Sequence, residues 1–151
     1  MHADIFNHLR GQKCQIRVAP YDVRLVKKGT KSRPADAAIH TVVQPDVCVI
    51  CDPTKIEKRG CLGSPDFIIE VTSPSTQARD WKQKFDLYEE NGVTEYWIAD
   101  PLGQAIYVFV LGKTTARYRL ASEHTRPGPI PCHTLPDLKL DWADIFTEEP
   151  E

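Results

Sequence analysis

The sequence predicts a mixed α/β domain, α+β in its strand directions: a central mixed sheet with helices packed against it. Three stretches carry that expectation. "DFIIEVT" (66–72) is apolar on both faces, as a strand in the middle of a sheet must be. The segment that follows has breakers and N-cap candidates in Ser73-Pro74-Ser75-Thr76, then helical spacing to about Asn91, then Gly92 to close it. Finally, "TEYWIAD", "QAIYVFVLG" and "TARYRLA" succeed one another across short turns, the pattern of an antiparallel meander.

The elements follow in order. "ADIFNHLRG" places Ile5, Phe6 and Leu9 on one helical face and ends at Gly11, so a short amphipathic helix starts the chain with almost no lead-in. An N-terminal element of the fold could therefore be missing. "CQIRVAP" and "YDVRLV" alternate around Ala19-Pro20 and read as a hairpin-like pair or a bent strand with one wet face. Residues 27–41 are aperiodic and basic, a mobile loop. "DVCVIC" is a strand entered through Gln44-Pro45-Asp46 and stopped by Pro53, and 54–63 reads as a charged loop bounded by glycine. Beyond the meander, "LKLDWADIF" predicts a short strand and one helical turn that packs Trp142, Ile145 and Phe146 onto the body.

A length of 151 residues fits one domain over 1–151, and 41% apolar with 26% charged residues is a globular composition that excludes disorder and fibrous repeats. No apolar run reaches the roughly 20 residues of a membrane span and the first residues have no signal-peptide core, so a cytoplasmic protein is expected. The net charge of −2 argues against a generally basic nucleic-acid binder, but the charge is uneven. Five cations, Arg24, Lys27, Lys28, Lys31 and Arg33, fall within ten residues, and an acidic tail occupies 147–151. The basic stretch is either a solvated loop or a phosphate-facing patch. The five cysteines are odd in number and scattered, so reduced thiols are expected. "CVIC" (48–51) has metal-knuckle spacing, but on a strand the two thiols point to opposite faces.

Glu70 is the residue in need of an explanation. It sits among Phe67, Ile68, Ile69 and Val71, where a carboxylate is costly unless protonated, paired with a cation or bound to a metal. Asp46, at the mouth of the neighbouring apolar strand, is the natural second carboxylate, since adjacent strands about 4.8 Å apart can hold two such groups around one ion. On the helix, the stripe Trp81, Lys84, Phe85, Tyr88 puts Lys84 in a core-facing position. That lysine either snorkels to water or meets a buried negative group such as Glu70. Asp66 competes for the role of Asp46, but four residues along one strand is about 13 Å, too far from Glu70 for a shared ion. The plain reading of Asp66 is a cap at the strand start. Asp80, four residues before Lys84, reads as an i,i+4 helix partner. Gln83 lies off the inward stripe, and Tyr88 reads as core or as a hydrogen bond to the site.

The run of "QPDV", "SPDFIIEVTSPST", Asp80, "KFDLYEENGV" and "EYWIADP", in order and at close spacing, resembles the Uma-two family of restriction endonucleases in the PD-(D/E)XK nuclease superfamily. With "VAPYDVRL" upstream and "DIF" downstream, the resemblance covers nearly the whole chain. It implies a restriction-endonuclease-like core and a Mg²⁺-dependent DNA endonuclease, Mn²⁺ being an alternative ion. In the superfamily pattern a Pro-Asp carboxylate and a Glu on the next strand hold the ion, which map to Asp46 and Glu70, with the Val71 carbonyl as a further ligand. A lysine two residues after the Glu completes the pattern, but here that position is Thr72. Lys84 on the following helix is the candidate replacement. The resemblance also implies DNA contacts from the Arg24–Arg33 stretch and a homodimer, since cutting two strands needs two sites. The rival expectations are a catalytically silent nucleic-acid-binding or assembly protein with the same fold, and a zinc module using Cys61, Cys132 or His133.

Overall fold

The computed structural model describes residues 1–26, 39–75 and 78–146. Lys27, Lys28, Lys31 and Arg33, most of the expected loop, Thr76 and the acidic tail lie outside the described residues. The same is true of the Asp80 side chain.

Helix α1 (His2–Leu9) leads into β1 (Gln15–Val18). Ile5 and Leu9, one turn apart, are buried, but Phe6 is 54% exposed. Each helical step turns about 100°, so Phe6 leaves the face that Ile5 and Leu9 share. β1 does not form a hairpin with β2 (Val23–Val26). The chain breaks at the cis peptide Ala19-Pro20, and the two strands enter different sheets. Val23, Arg24 and Leu25 are all buried, so β2 has no wet face along those residues.

Among the described residues, the larger sheet has six strands in the order β1-β4-β7-β8-β9-β10. It is built from β1, β4 (Val47–Ile50), β7 (Phe67–Val71), β8 (Glu95–Asp100), β9 (Ala105–Leu111) and β10 (Tyr118–His124). The fully apolar run 67–69 does sit in the middle, between β4 and β8, and 95–124 is the expected antiparallel meander. β7 and β8 are parallel, Phe67 opposite Glu95, so the connection between them must cross over, and the helix supplies the crossover. That helix begins with a π-helical stretch (Arg79–Lys84) and continues as α2 (Phe85–Glu90).

Two expected loops are partly strand. β3 (Ile39–Val43) takes the end of 27–41, and β5 (Ile56–Glu57) with β6 (Gly60–Leu62) forms a hairpin inside 54–63. With β2 they make a four-stranded sheet in the order β3-β2-β6-β5. Strands of two and three residues are too short to show alternation, and their pairing depends on β2. Gly60 (φ +114°) is required there, because a Cβ would lie 2.1 Å from the Asp22 carbonyl oxygen.

The larger sheet separates two cores. On one face Phe67, Ile69 and Trp97 meet Ile5 and Leu9 of α1 and the C-terminal segment, including Leu135 and Leu138. Here β11 (Pro129–Ile130) pairs with β12 (Leu140–Asp141), and α3 (Trp142–Phe146) lays Trp142, Ile145 and Phe146 against the core as expected. On the other face Ile68, Tyr96 and Ile98 meet Tyr88 of α2 and Val23 and Leu25 of the smaller sheet. Among the described residues, no helix is long and apolar enough to cross a membrane.

The cysteines require a correction. Cys14 and Cys51 form a disulfide, not two thiols. Antiparallel pairing of Gln15 with Ile50 puts the residues just outside that pair, 14 and 51, opposite each other. Cys48, Cys61 and Cys132 are free and buried. Cys48 and Cys51 do face opposite cores.

Candidate active site

The strand β7 alternates between the two cores, so Glu70 falls on the α2 face with Ile68. It is completely buried. The antiparallel register Val47 opposite Ile69 continues to bring Asp46 opposite Glu70. The two residues interlock: the Asp46 backbone N–H donates to Glu70 Oε1 (3.1 Å), and the Val71 N–H donates to Asp46 Oδ2 (2.7 Å). A further backbone bond, Ala19 N–H to the Asp46 carbonyl (3.1 Å), holds the turn after Gln44-Pro45 in place.

Lys84 closes the group. Its Nζ makes a short hydrogen-bonded ion pair with Glu70 Oε2, and the lysine side chain is 22% exposed while the glutamate is not exposed at all. The helix stripe explains how the lysine arrives there. Trp81 packs edge-on to Tyr107 with ring centroids 4.6 Å apart, Phe85 packs on Phe109 and Tyr118 (5.1 Å each), and Tyr88 packs on Tyr96 (5.1 Å). Those rings fix the helix over β8–β10, and the π-helical stretch ends at Lys84, which reaches back toward β7. π-helical turns occur often at functional sites, because the widened turn re-aims a side chain. Burial pulls the Lys84 ammonium below the ordinary lysine range, and the Asp46 carboxylate opposes that shift.

The structure thus brings Asp46, Glu70, Val71 and Lys84 together, and several other described candidates have different partners. Asp66 accepts a hydrogen bond from Cys51 N–H (Oδ2, 2.7 Å), which is a strand-start cap. Thr72 is buried and donates its hydroxyl to the Ala99 carbonyl (3.3 Å). Tyr88 is core. Arg24, the first cation of the basic stretch, is a buried β2 residue ion-paired with Glu57. Cys61 and Cys132 lie in cores on opposite sides of the sheet, so they share no ion. Among the described residues, no three His, Cys, Asp or Glu side chains gather as a metal cluster.

For a metal, the donor set at Asp46 and Glu70 is all oxygen, which suits a hard divalent ion such as Mg²⁺ that keeps several waters and takes one or two carboxylates. Each carboxylate accepts from a backbone N–H of the facing strand, and Val71, 39% exposed, is the last residue of β7. The residues present therefore fit such an ion.

A second buried carboxylate escaped the sequence reading. Glu95, at 0% exposure, accepts hydrogen bonds from Trp97 Nε1 (2.7 Å), His133 N–H (3.1 Å), Thr134 N–H (2.7 Å) and the Cys132 thiol (3.6 Å). Its signal was an acid two residues before a tryptophan in an otherwise apolar strand. Its donors tie the C-terminal segment to β8, on the side of the sheet away from Glu70.

With this geometry in hand, the family model described as "putative restriction endonuclease", Uma2, matches residues 3–143. The chain belongs to the Uma2 family. An uncharacterized protein of Synechocystis sp. is 30% identical to this chain over 92 residues, which is 61% of this chain and 43% of that protein. This chain thus spans less than half the length of that relative. A crystal structure of a protein from Anabaena variabilis, described as a putative nuclease belonging to DUF820, superposes with a TM-score of 0.69. The match covers 96% of this chain and 75% of that one at 17% identity, which shows that the two share a fold. In this chain the two acids stand on adjacent strands and the lysine on the crossover helix.

Proposed function

We propose that this Uma2 protein is a Mg²⁺-dependent endonuclease that hydrolyses phosphodiester bonds in DNA. The observation that carries the reading is the Asp46–Glu70–Lys84 group, its glutamate fully buried, at the end of the central strands. Asp46 and Glu70, with the Val71 carbonyl, would hold the ion. Bound there, Mg²⁺ supplies an activated water and positive charge for the phosphate.

The chain's own residues do the remaining work. The burial of Glu70 under α2 keeps bulk water from competing for its oxygens. The Asp46 N–H and Val71 N–H fix both carboxylates in register, so neither must be reorganised when the substrate arrives. Lys84 is one hydrogen bond from Glu70 and partly exposed, a position from which its ammonium can donate to a phosphate oxygen as charge develops. The pattern's usual lysine position is Thr72, and its hydroxyl is committed to the Ala99 carbonyl, so the cation must come from the helix. A homodimer would present one such site to each strand. The proposed backbone contacts are Arg24, Lys27, Lys28, Lys31 and Arg33, of which Arg24 is ion-paired with Glu57.

One observation favours the silent alternative: Lys84 and the Asp46 N–H already satisfy Glu70 without an ion. A protein of that kind would bind DNA or assemble without cleaving. Plasmid nicking in Mg²⁺ by the wild type and by Glu70→Gln separates the two. Nicking by the wild type and loss of at least about a hundredfold in the variant are expected, in line with removing a group that acts in the transition state; equal rates, or none in the wild type, sink the assignment.

A further inference from the structure

A cleft of about 600 Å³ opens beside Lys84, lined by Asp22, Val42, Val43, Gln44, Gln83 and Leu87. Its volume is in the range of small-molecule sites. Two of its walls come from the catalytic scaffold itself. Gln44 is two residues before Asp46 on the same turn, and Gln83 is the helical neighbour of Lys84. The third wall is the small sheet, where Val23 pairs with Val43 and brings Asp22 opposite Gln44. There the Gln44 amide nitrogen donates to Asp22 Oδ1 (2.8 Å). That bond orients the amide, turning its oxygen away from Asp22 as an acceptor.

The lining has the chemistry of a planar, uncharged, polar ligand. Val42 is 54% exposed, an apolar strand residue with no core to enter, and with Val43 and Leu87 it offers flat apolar surface. Gln44 and Gln83 offer amides, and Asp22 is already engaged by one of them. The phosphate partner is supplied at the cleft's edge by the Lys84 ammonium. The larger cleft of about 800 Å³ at the other end of the helix is different: Asp86, Glu89 and Glu90 line it, and Arg117 is paired with Glu89, so it repels a phosphodiester.

We propose that the cleft beside Lys84 is a nucleotide subsite that takes one unstacked nucleobase, with Gln44 and Gln83 as its specificity-determining residues. The base lies on Val42, Val43 and Leu87, and its exocyclic amine donates to the Gln44 amide oxygen, the pairing that lets a glutamine amide read adenine. The phosphate of the same nucleotide then faces Lys84. The subsite deepens the nuclease reading and rests on it for the identity of the polymer, but binding in the cleft requires neither Mg²⁺ nor cleavage.

The test is a chemical-shift titration of the full chain without Mg²⁺, using dAMP and deoxyribose 5-phosphate as probes. The subsite predicts that dAMP binds at least about fivefold more tightly than the sugar phosphate, which is what burying about 40 Å² of base surface on the apolar wall would give. It predicts further that Gln44→Ala and Gln83→Ala, both at exposed positions, each shrink that ratio while leaving sugar-phosphate binding and the melting temperature unchanged. Equal affinity for the two probes, or a ratio kept in both variants, overturns the subsite. Plasmid nicking run beside it tells the failures apart. Base-dependent binding without nicking supports the subsite and overturns only the nuclease assignment, whereas nicking without base-dependent binding overturns only the subsite.

Discussion

At the scale of single residues, the molecule is organised around two buried carboxylates neutralised in different ways. Among the described residues, Glu70 is met by one cation, Lys84, and one backbone N–H. Removing a single partner of a buried ion pair strands the other charge, which typically costs several kcal/mol, whereas removing both costs far less. Lys84→Met is therefore expected to lower unfolding stability by about 3 kcal/mol. Lys84→Met combined with Glu70→Gln is expected to regain more than half of that. Urea unfolding of both single variants and of the double variant checks the coupling, and strictly additive losses would show that the pair is not coupled. This residue-level logic was legible from the sequence, because a glutamate in an apolar strand and a lysine in an apolar helix stripe each pose a problem that the other solves. The chemistry proposed for the pair uses the same closeness.

At the scale of elements, positions are set by contacts across long sequence separations. Glu95 is the clearest case. Its oxygens hold the His133 and Thr134 N–H groups, 38 and 39 residues later in the chain, and so pin the irregular 131–138 segment to β8. Glu95→Ala leaves those donors and Trp97 Nε1 without their acceptor in a dry interior, and a loss of about 3 kcal/mol or more is expected. Hydrogen exchange should locate it: amides 133 and 134 lose protection first, while β8 and β9 amides keep theirs until global unfolding. The sequence showed the acid but not its partners, since proline-interrupted loops have no period from which to read a contact. The smaller sheet was missed for a related reason. β5 and β6 are too short to signal strand by themselves and are specified by β2 and its lead-in: the carbonyl of Asp22, just before β2, accepts from Cys61 N–H, and Arg24 of β2 pairs with Glu57.

At the scale of the whole molecule, two cores back to back on one sheet leave the free thiols no route to solvent. Burial pushes Cys48 up to about 12 and Cys61 up to about 11, and Cys132 is raised further by burial and the neighbouring Glu95 charge. Thiolates are the reactive species, so none of the three should react with a disulfide reagent in the folded protein. With Cys14 and Cys51 bonded, three thiols should titrate after unreduced protein is unfolded in denaturant. Five thiols, or a thiol reactive in native buffer, would contradict this arrangement.

The local pattern by itself determined the central strand, the meander, the crossover helix and its inward lysine, because each rests on periodicity, breakers and the cost of burying charge within one short segment. It also marked Asp46 through its place at the mouth of the neighbouring strand. Only the tertiary structure decided which strands pair, and with that the Asp46–Glu70 interlock, the Cys14–Cys51 bond, the burial of Arg24 and the Asp22–Gln44 contact at the cleft. These are consequences of register between distant segments, and a strand's alternation states which face a residue takes without stating which strand will lie beside it.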